Sequence, residues 1–351
     1  MRKQAELQHV AVYGIDIGKS VFHVAGLDAT GRPVFRKKLK RDKILAFFSN
    51  IPVSVTAMEA CPGSQWLARK LKGYGHDARI LPAQFVKPYA KSNKNDNVDA
   101  EAIAEAATRP TMRFVQIKRV DQIDVQATHR ARDMMVYQRT ALISQMRAIL
   151  LEQGFPMRGG AGAFKLDLDR VLGDGEADLT PSLLKLIATL RMHLRELEAH
   201  IAEFTQEIEG LADRDDVARR LQTIPGIGPL AATALIAAVG DGRQFRRARD
   251  LSAWLGLVPA QYSTGGKPHL LGISKRGNSY VRRLLIHGAR SCVVHMDRSR
   301  NRLGVWLDQL SQRVHVNKLT AALANKIARM AWAIITRPAE LFQKNDPRFA
   351  V

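Results

Sequence analysis

Residues 10–40 hold three consecutive segments of strand length joined by tight turns, and this constrains the fold more than any other stretch. "VAVYGID" and "SVFHVAGLD" alternate and are rich in β-branched residues, and "VFRKKL" follows the turn "ATGRP". Strands that close together in sequence must pair antiparallel, so they form a meander. The alternation puts Val21, His23 and Ala25 on one face of the second strand and Phe22, Val24 and Gly26 on the other. Next comes "VSVTAMEA", a short apolar strand ending at Glu59. "GSQWLARKLKGYG" is an amphipathic helix closed by Gly73 and Gly75. "DARILPA" is a further strand. "KSNKNDNVDAEAIAEAATR" begins polar and turns Ala/Glu-rich, as a helix start does. The fold class expected here is an α/β N-terminal domain.

Its acids stand at informative places. Asp16 lies between Ile15 and Ile17, mid-strand, on a face that would otherwise be apolar. Glu59 ends what would be a neighbouring strand. Asp96 and Asp99 are three apart at a helix start and can share one face. Taken singly, Asp96 could be an N-cap, Asp99 a first-turn acid favoured by the helix dipole, and Glu59 a surface residue. Taken together, four converging carboxylates need cations to relieve their repulsion. Two Mg²⁺ ions about 4 Å apart would do so and would serve phosphodiester chemistry, with Mn²⁺ able to substitute.

The middle of the chain carries the cleanest periodicity. Leu183, Ile187, Leu190, Leu194, Leu197, Ile201, Phe204, Ile208 and Leu211 alternate spacings of four and three, the seam of a coiled coil. A second helical stretch, about 121–152, carries Met135, Leu142, Met146 and Ile149 on a similar face. "GFPMRGGAGAF" separates the two with glycines and a proline. The seam fits either an antiparallel pair within one chain or a dimer. Arg130, Arg132, Arg139 and Arg147 suit contacts to a nucleic-acid backbone, or equally a solvated charged face.

Lysine and arginine number 54 against 33 aspartate and glutamate, a net charge of +21. Such a chain attracts polyanions, nucleic acid first among them. The basic character is concentrated late: no acid occurs from Leu251 to Met296, while Lys267, Lys275, Arg276, Arg282, Arg283 and Arg290 do. "LQTIPGIGPLAATALIAAVG" reads as helix, tight turn, helix. In helix-hairpin-helix fashion, Gly226 and Gly228 would let backbone N–H groups approach a phosphate, although a plain helical hairpin has the same glycines. "QYSTGGKPHLLGISKRGN" sets hydroxyls among glycines and cations, as attack on phosphorus requires. The candidate nucleophile is Ser263, with Thr264 and Ser274 as alternatives; Ser274 could instead cap the helix that follows. "VNKLTAALANKIARMAWAIIT" is an apolar amphipathic helix expected to pack the C-terminal part.

No apolar run is long enough to span a bilayer, and the polar N-terminus is no signal peptide. The two cysteines, Cys61 and Cys292, lack metal-like spacing, which points to a reducing cytoplasm. The ten histidines are scattered without a ligand-like pair, and most read as surface or nucleic-acid-facing residues.

"GIDIGKSVFHVAGLD", "AMEACPGSQWLARKL" and "KSNKNDNVDAEAIAEAA" resemble the RuvC-like (RNase H-like) domain of the DEDD insertion-sequence transposases, a family that includes the Piv-type DNA invertases. The likeness continues through "PGIGPLAATALIAAVGDGRQF", "WLGLVPAQYSTGG" and "GISKRGNSYVRRLLIHGAR", and so covers most of the chain. It implies that the four acids are Asp16, Glu59, Asp96 and Asp99. It also implies a catalytic serine in "YSTGG" that links covalently to DNA. The implied activity is recombination of donor and target DNA guided by an element-encoded noncoding (bridge) RNA. A homo-oligomer, dimer or tetramer, through the coiled coil is implied as well, since two duplexes must be held at once.

The organisation expected is a RuvC-like catalytic domain over 8–115 and a coiled-coil stalk over 116–212. A mostly α-helical C-terminal transposase domain with helix-hairpin-helix would span 213–337, and a tail 338–351. Two rivals stand beside this reading. One is a Mg-dependent, structure-specific nuclease in which water attacks and no covalent link forms. The other is a nucleic-acid-binding protein with a degenerate site.

Overall fold

The computed structural model describes residues 9–90, 96–173, 179–300 and 302–337; residues 91–95 and the tail expected at 338–351 lie outside them. The chain divides into two compact units between Arg119 and Val120.

The first unit is built on a five-stranded sheet. Its strands are β1 (Val12–Ile17), β2 (Val21–Leu27), β3 (Pro33–Lys40), β4 (Val55–Glu59) and β5 (Asp77–Leu81), in the order β3-β2-β1-β4-β5. The first three form the expected antiparallel meander; β4 and β5 add in parallel. Helices α1 (Ile44–Ser49), α2 (Ser64–Gly73), α3 (Ala83–Val86) and α4 (Asp96–Ala107) complete the unit. Helix α1, between β3 and β4, was not expected from the sequence.

Strand alternation sends opposite side chains to opposite covers. Tyr13, Ile15, Phe22, Val24, Met58 and Ile80 form one core, with Ile44 and Phe48 of α1 and Leu67 and Leu71 of α2. On the other face Gly14 lets α4 approach β1 closely. A Cβ at Gly14 would sit 2.0 Å from the Ala100 carbonyl oxygen and 2.6 Å from the Ala104 nitrogen. Gly14 therefore sets the distance between β1 and α4, and Asp16, two residues on, points to the same side. After α4 the chain is tied back to its own unit. The Val115 N–H donates to the Ile80 carbonyl at 2.7 Å, and Lys118 N–H to Gln65 Oε1 at 2.7 Å.

The second unit is mostly helical: α5 (Val120–Leu151), α6 (Ala161–Gly173), α7 (Pro181–Arg214), α8 (Asp216–Leu221), α9 (Pro229–Val239), α10 (Ala248–Trp254), α11 (Ser279–His295), α12 (Arg302–Ser311) and α13 (Val316–Thr336). A hairpin, β6 (Pro259–Gln261) and β7 (Leu270–Ile273), lies between α10 and α11. The segment read as a glycine-rich separator contains the start of α6, whose Phe164 and Leu168 are buried against the α5–α7 pair.

The heptad seam of α7 is filled from within the chain. Leu142, Met146 and Leu150 of α5 pack with Ile187, Leu194 and Leu197. Further along, Arg132 Nε donates to Thr205 Oγ1 at 2.7 Å. The low-numbered half of α5 thus meets the high-numbered half of α7, so the pair is antiparallel. Of the two expected arrangements, the antiparallel pair within one chain is present, and Leu184, Leu186 and Met192 of α7 with Met134 and Tyr137 of α5 remain exposed on the pair.

His129 of α5 joins this pair to the C-terminal helices. Its ring is buried between Thr233 Oγ1 of α9 and Tyr280 Oη of α11, each at 2.9 Å. Thr233 donates its own proton to the Pro229 carbonyl at 2.7 Å. It therefore accepts from Nε2–H, and Tyr280 donates to Nδ1. Burial first, then nearby Arg132, lowers the His129 pKa to about 4. His76 is likewise buried, with Nε2 2.8 Å from the Phe48 carbonyl. These two histidines are exceptions to the surface placement expected of most, because each ties elements together inside a core.

Candidate active site

β1 and β4 run parallel with Ile15 opposite Met58. Asp16 and Glu59 are the next residue on each strand, so they stand side by side at the carboxyl ends. The first turn of α4 brings Asp96 and Asp99 to the same face of the sheet. Burial first, then the charges of Asp16 and of Asp99, raise the Glu59 carboxyl above its ordinary value; Lys87 acts in the opposite sense. Glu59 therefore feels the charges of Asp16 and Asp99. Asp96 joins them from its other side: ligand atoms of Asp16, His23 and Asp96 all lie within 4.8 Å of one another.

Two residues here escaped the sequence reading. His23 is the direct cross-strand partner of Asp16, and its Nδ1 is 3.5 Å from Asp96 Oδ2. The signal was present, since folding the hairpin at "GKS" pairs residue 16 with 23. Lys87 follows α3 in a short helical turn, for which the sequence offered no signal. The hairpin itself is held by Arg41, whose Nε donates to the Lys19 carbonyl at 2.7 Å and whose Nη2 donates to that of Gly18 at 3.1 Å.

The linkage sign follows from Glu59. A carboxyl with a raised pKa in the fold adds stability below its unfolded pKa and loses it as pH rises through the folded value. Once ionised, the group opposes the fold. Glu59→Gln is expected to raise the unfolding midpoint at pH 7 by about 1–3 °C. Thermal unfolding of the two proteins side by side checks it.

In the second unit the candidate hydroxyls sit on the β6–β7 hairpin. Ser263 Oγ accepts from Gln261 Nε2 at 2.8 Å and from the His269 N–H at 3.3 Å. Both partners are donors, so they orient the oxygen without withdrawing its proton. Thr264 forms a backbone bridge with Lys267 across the turn made by Gly265 and Gly266, both at positive φ. Ser274 is half-buried, and its N–H donates to the Val258 carbonyl at 2.8 Å. It does not cap α11; that role belongs to Asn278, whose side chain accepts from the Val281 N–H at 3.1 Å.

The basic residues divide by occupation. Lys267, Lys275 and Arg276 are exposed. Arg282 Nη1 donates to the Leu255 carbonyl at 2.9 Å and the Arg276 carbonyl at 2.7 Å, holding the loop before α11. Arg283 pairs with Asp133. Arg147 of α5 donates to the Arg158 and Gly160 carbonyls, each at 2.8 Å. Gly226 has a packing reason for its glycine: a Cβ there would meet the Gly288 carbonyl of α11 at 2.9 Å. Gly228 is exposed at the N-terminus of α9. No helix among the described residues is long and apolar enough to cross a membrane.

Comparison with known proteins finds relatives that match both units. A transposase family model of the DEDD type matches residues 13–156, and the model described as "Transposase IS116/IS110/IS902 family" matches residues 218–303. The transposase for insertion sequence element IS1111A of Coxiella burnetii is 41% identical over 96% of this chain and 92% of its own length. A probable family 20 transposase of Pseudomonas aeruginosa is 44% identical over 92% of this chain and 96% of its own. The transposase for IS1328 of Yersinia enterocolitica is 41% identical over 94% and 98%. With likeness of this extent across both units, the chain belongs to the IS110-type family of insertion-sequence transposases, enzymes that cut and rejoin DNA.

Proposed function

We propose that this transposase cuts and rejoins donor and target DNA with two sets of residues. One is a divalent-metal site on Asp16, Glu59, Asp96 and Asp99; the other is a hydroxyl nucleophile on the β6–β7 hairpin, Ser263 before Thr264. The observation that carries the proposal is the gathering of the four acids on the α4 face of the sheet, where burial and mutual repulsion raise Glu59. The donor set fits hard divalent cations such as Mg²⁺ or Mn²⁺. Bound there, they would neutralise the acids and stabilise charge on the phosphoryl oxygens.

The chain's own residues supply the rest. Ser263 Oγ attacks phosphorus and loses its proton. The bond from phosphorus to the leaving deoxyribose oxygen breaks, and that oxygen is protonated. A second strand's hydroxyl then attacks the phosphoserine and frees the serine. Each step exchanges one phosphoester for another, so no external energy source is needed. Gln261 and the His269 N–H hold Oγ in place. The exposed Lys267, Lys275 and Arg276, and the Gly228 end of α9 acting in a helix-hairpin-helix, contact phosphates without reading sequence. Arg282 and Arg283 act beside them chiefly by fixing the loop and α11.

Guidance by an element-encoded RNA is part of the proposal and is supported by the family. So is action in the cytoplasm by a homo-oligomer, dimer or tetramer, that associates through the coiled-coil pair. Purified protein, with RNA transcribed from the flank of its own gene and labelled donor and target DNA, tests the whole. Joined product is expected only with both Mg²⁺ and RNA. Equal joining without RNA would overturn guidance, and joining in excess chelator would overturn the metal site.

A further inference from the structure

His23 was no part of the four-acid reading, yet the fold holds it rigidly at that site. It lies on β2, laddered on both sides, opposite Asp16 of β1 and Lys38 of β3. Its side chain is only 14% exposed, while that of Asp96 is 59% exposed. Nδ1 and Asp96 Oδ2 are 3.5 Å apart, longer than a good hydrogen bond. That separation is one a shared ion would set, and the ligand atoms of Asp16, His23 and Asp96, all within 4.8 Å of one another, need only small side-chain movements to meet on one. Two donors each about 2.1 Å from one ion stand roughly 3–4 Å apart.

Charge makes the same point. Four carboxylates already balance two divalent ions, so a further acid would leave excess negative charge. A neutral imidazole adds a donor atom and no charge. The site then has two unlike sides that share Asp16. Asp16, Glu59 and Asp99 offer oxygen only; Asp16, His23 and Asp96 offer oxygen and nitrogen.

We infer that His23 is a nitrogen ligand to one of the two divalent ions, shared with Asp16 and Asp96, and that it biases this position toward first-row transition ions over Mg²⁺. The inference rests on the proposed metal site. Its chemical ground is the preference of imidazole for transition ions, whereas Mg²⁺ takes oxygen donors and water. The competing role for His23 is a plain ion pair with Asp96.

Mn²⁺ bound to the full-length protein is the probe, read by electron spin-echo modulation, which detects a coordinated ¹⁴N nucleus. The unaltered protein is expected to show a nitrogen coupling. His23→Gln should abolish it while Mn²⁺ still binds the acids. By calorimetric titration, His23→Gln should weaken Mn²⁺ about tenfold and Mg²⁺ much less. His23→Asp, which restores an oxygen donor, should bind Mn²⁺ without the coupling and should serve if the Gln variant folds poorly. A coupling that persists in His23→Gln, or Mn²⁺ bound to the unaltered protein without any coupling, overturns the inference. Asp99→Asn separates the two readings, because it must weaken Mn²⁺ whether or not His23 is a ligand. Mn²⁺ binding that is indifferent to Asp99→Asn overturns the acid site, and the His23 inference with it.

Discussion

Asp16→Asn is expected to lower DNA strand joining by about 10³-fold or more, the largest effect of any single replacement in the first unit. Asp16 is the common member of the two acid groups. It raises Glu59 on one side and shares the donor cluster with His23 and Asp96 on the other. Asparagine keeps the shape and removes the charge. Because the acids repel one another without cations, the variant should unfold at or above the midpoint of the unaltered protein. Joining assays beside thermal unfolding therefore separate a lost site from a lost fold. A variant that joins at more than a tenth of the normal rate would remove Asp16 from the chemistry.

Ser263→Ala is expected to eliminate covalent attachment of the protein to DNA, and joining with it. Ser263 Oγ is oriented by two donors, whereas Thr264 is engaged through its backbone across the turn. Thr264→Ala should reduce joining by about tenfold or less and leave the adduct detectable. The measurement is a denaturing gel of labelled DNA after incubation with protein, Mg²⁺ and RNA. Cleaved ends that survive Ser263→Ala would favour the water-driven nuclease. An adduct lost only in Thr264→Ala would move the nucleophile by one residue.

Much of the first unit was legible because a period of two is hard to mistake. The three-strand meander and the strands ending at Glu59 and Leu81 follow directly from alternation. Asp16 stood out since an acid between two isoleucines breaks the pattern. Glu59 at a strand end and Asp96 and Asp99 at a helix start were candidates to stand beside it. Their convergence needed the sheet order and the close approach at Gly14, and neither of these is local.

What was missed has physical causes. His23 looked ordinary on its own strand and gained meaning only from the hairpin register. Residues 161–173 were masked by their glycines, although Phe164 and Leu168 fix a helix there by burial. The heptad seam was plain, but a seam does not record whether its partner is another helix of the same chain or of a second copy. Gly226 invited a phosphate-binding reading, and its glycine is required by the backbone of α11. Arg282 counted as a free cation in the sequence, yet two carbonyl oxygens use its guanidinium. Side chains of one type divide between structure and surface by contacts that composition cannot express.

The most direct test of the central claim is mass spectrometry of the protein–DNA adduct formed with Mg²⁺, RNA and both DNA substrates. The account predicts a nucleotide linked through phosphate to Ser263, absent in excess chelator and absent from Asp16→Asn. Efficient cleavage that leaves free DNA ends and no linked peptide would contradict it.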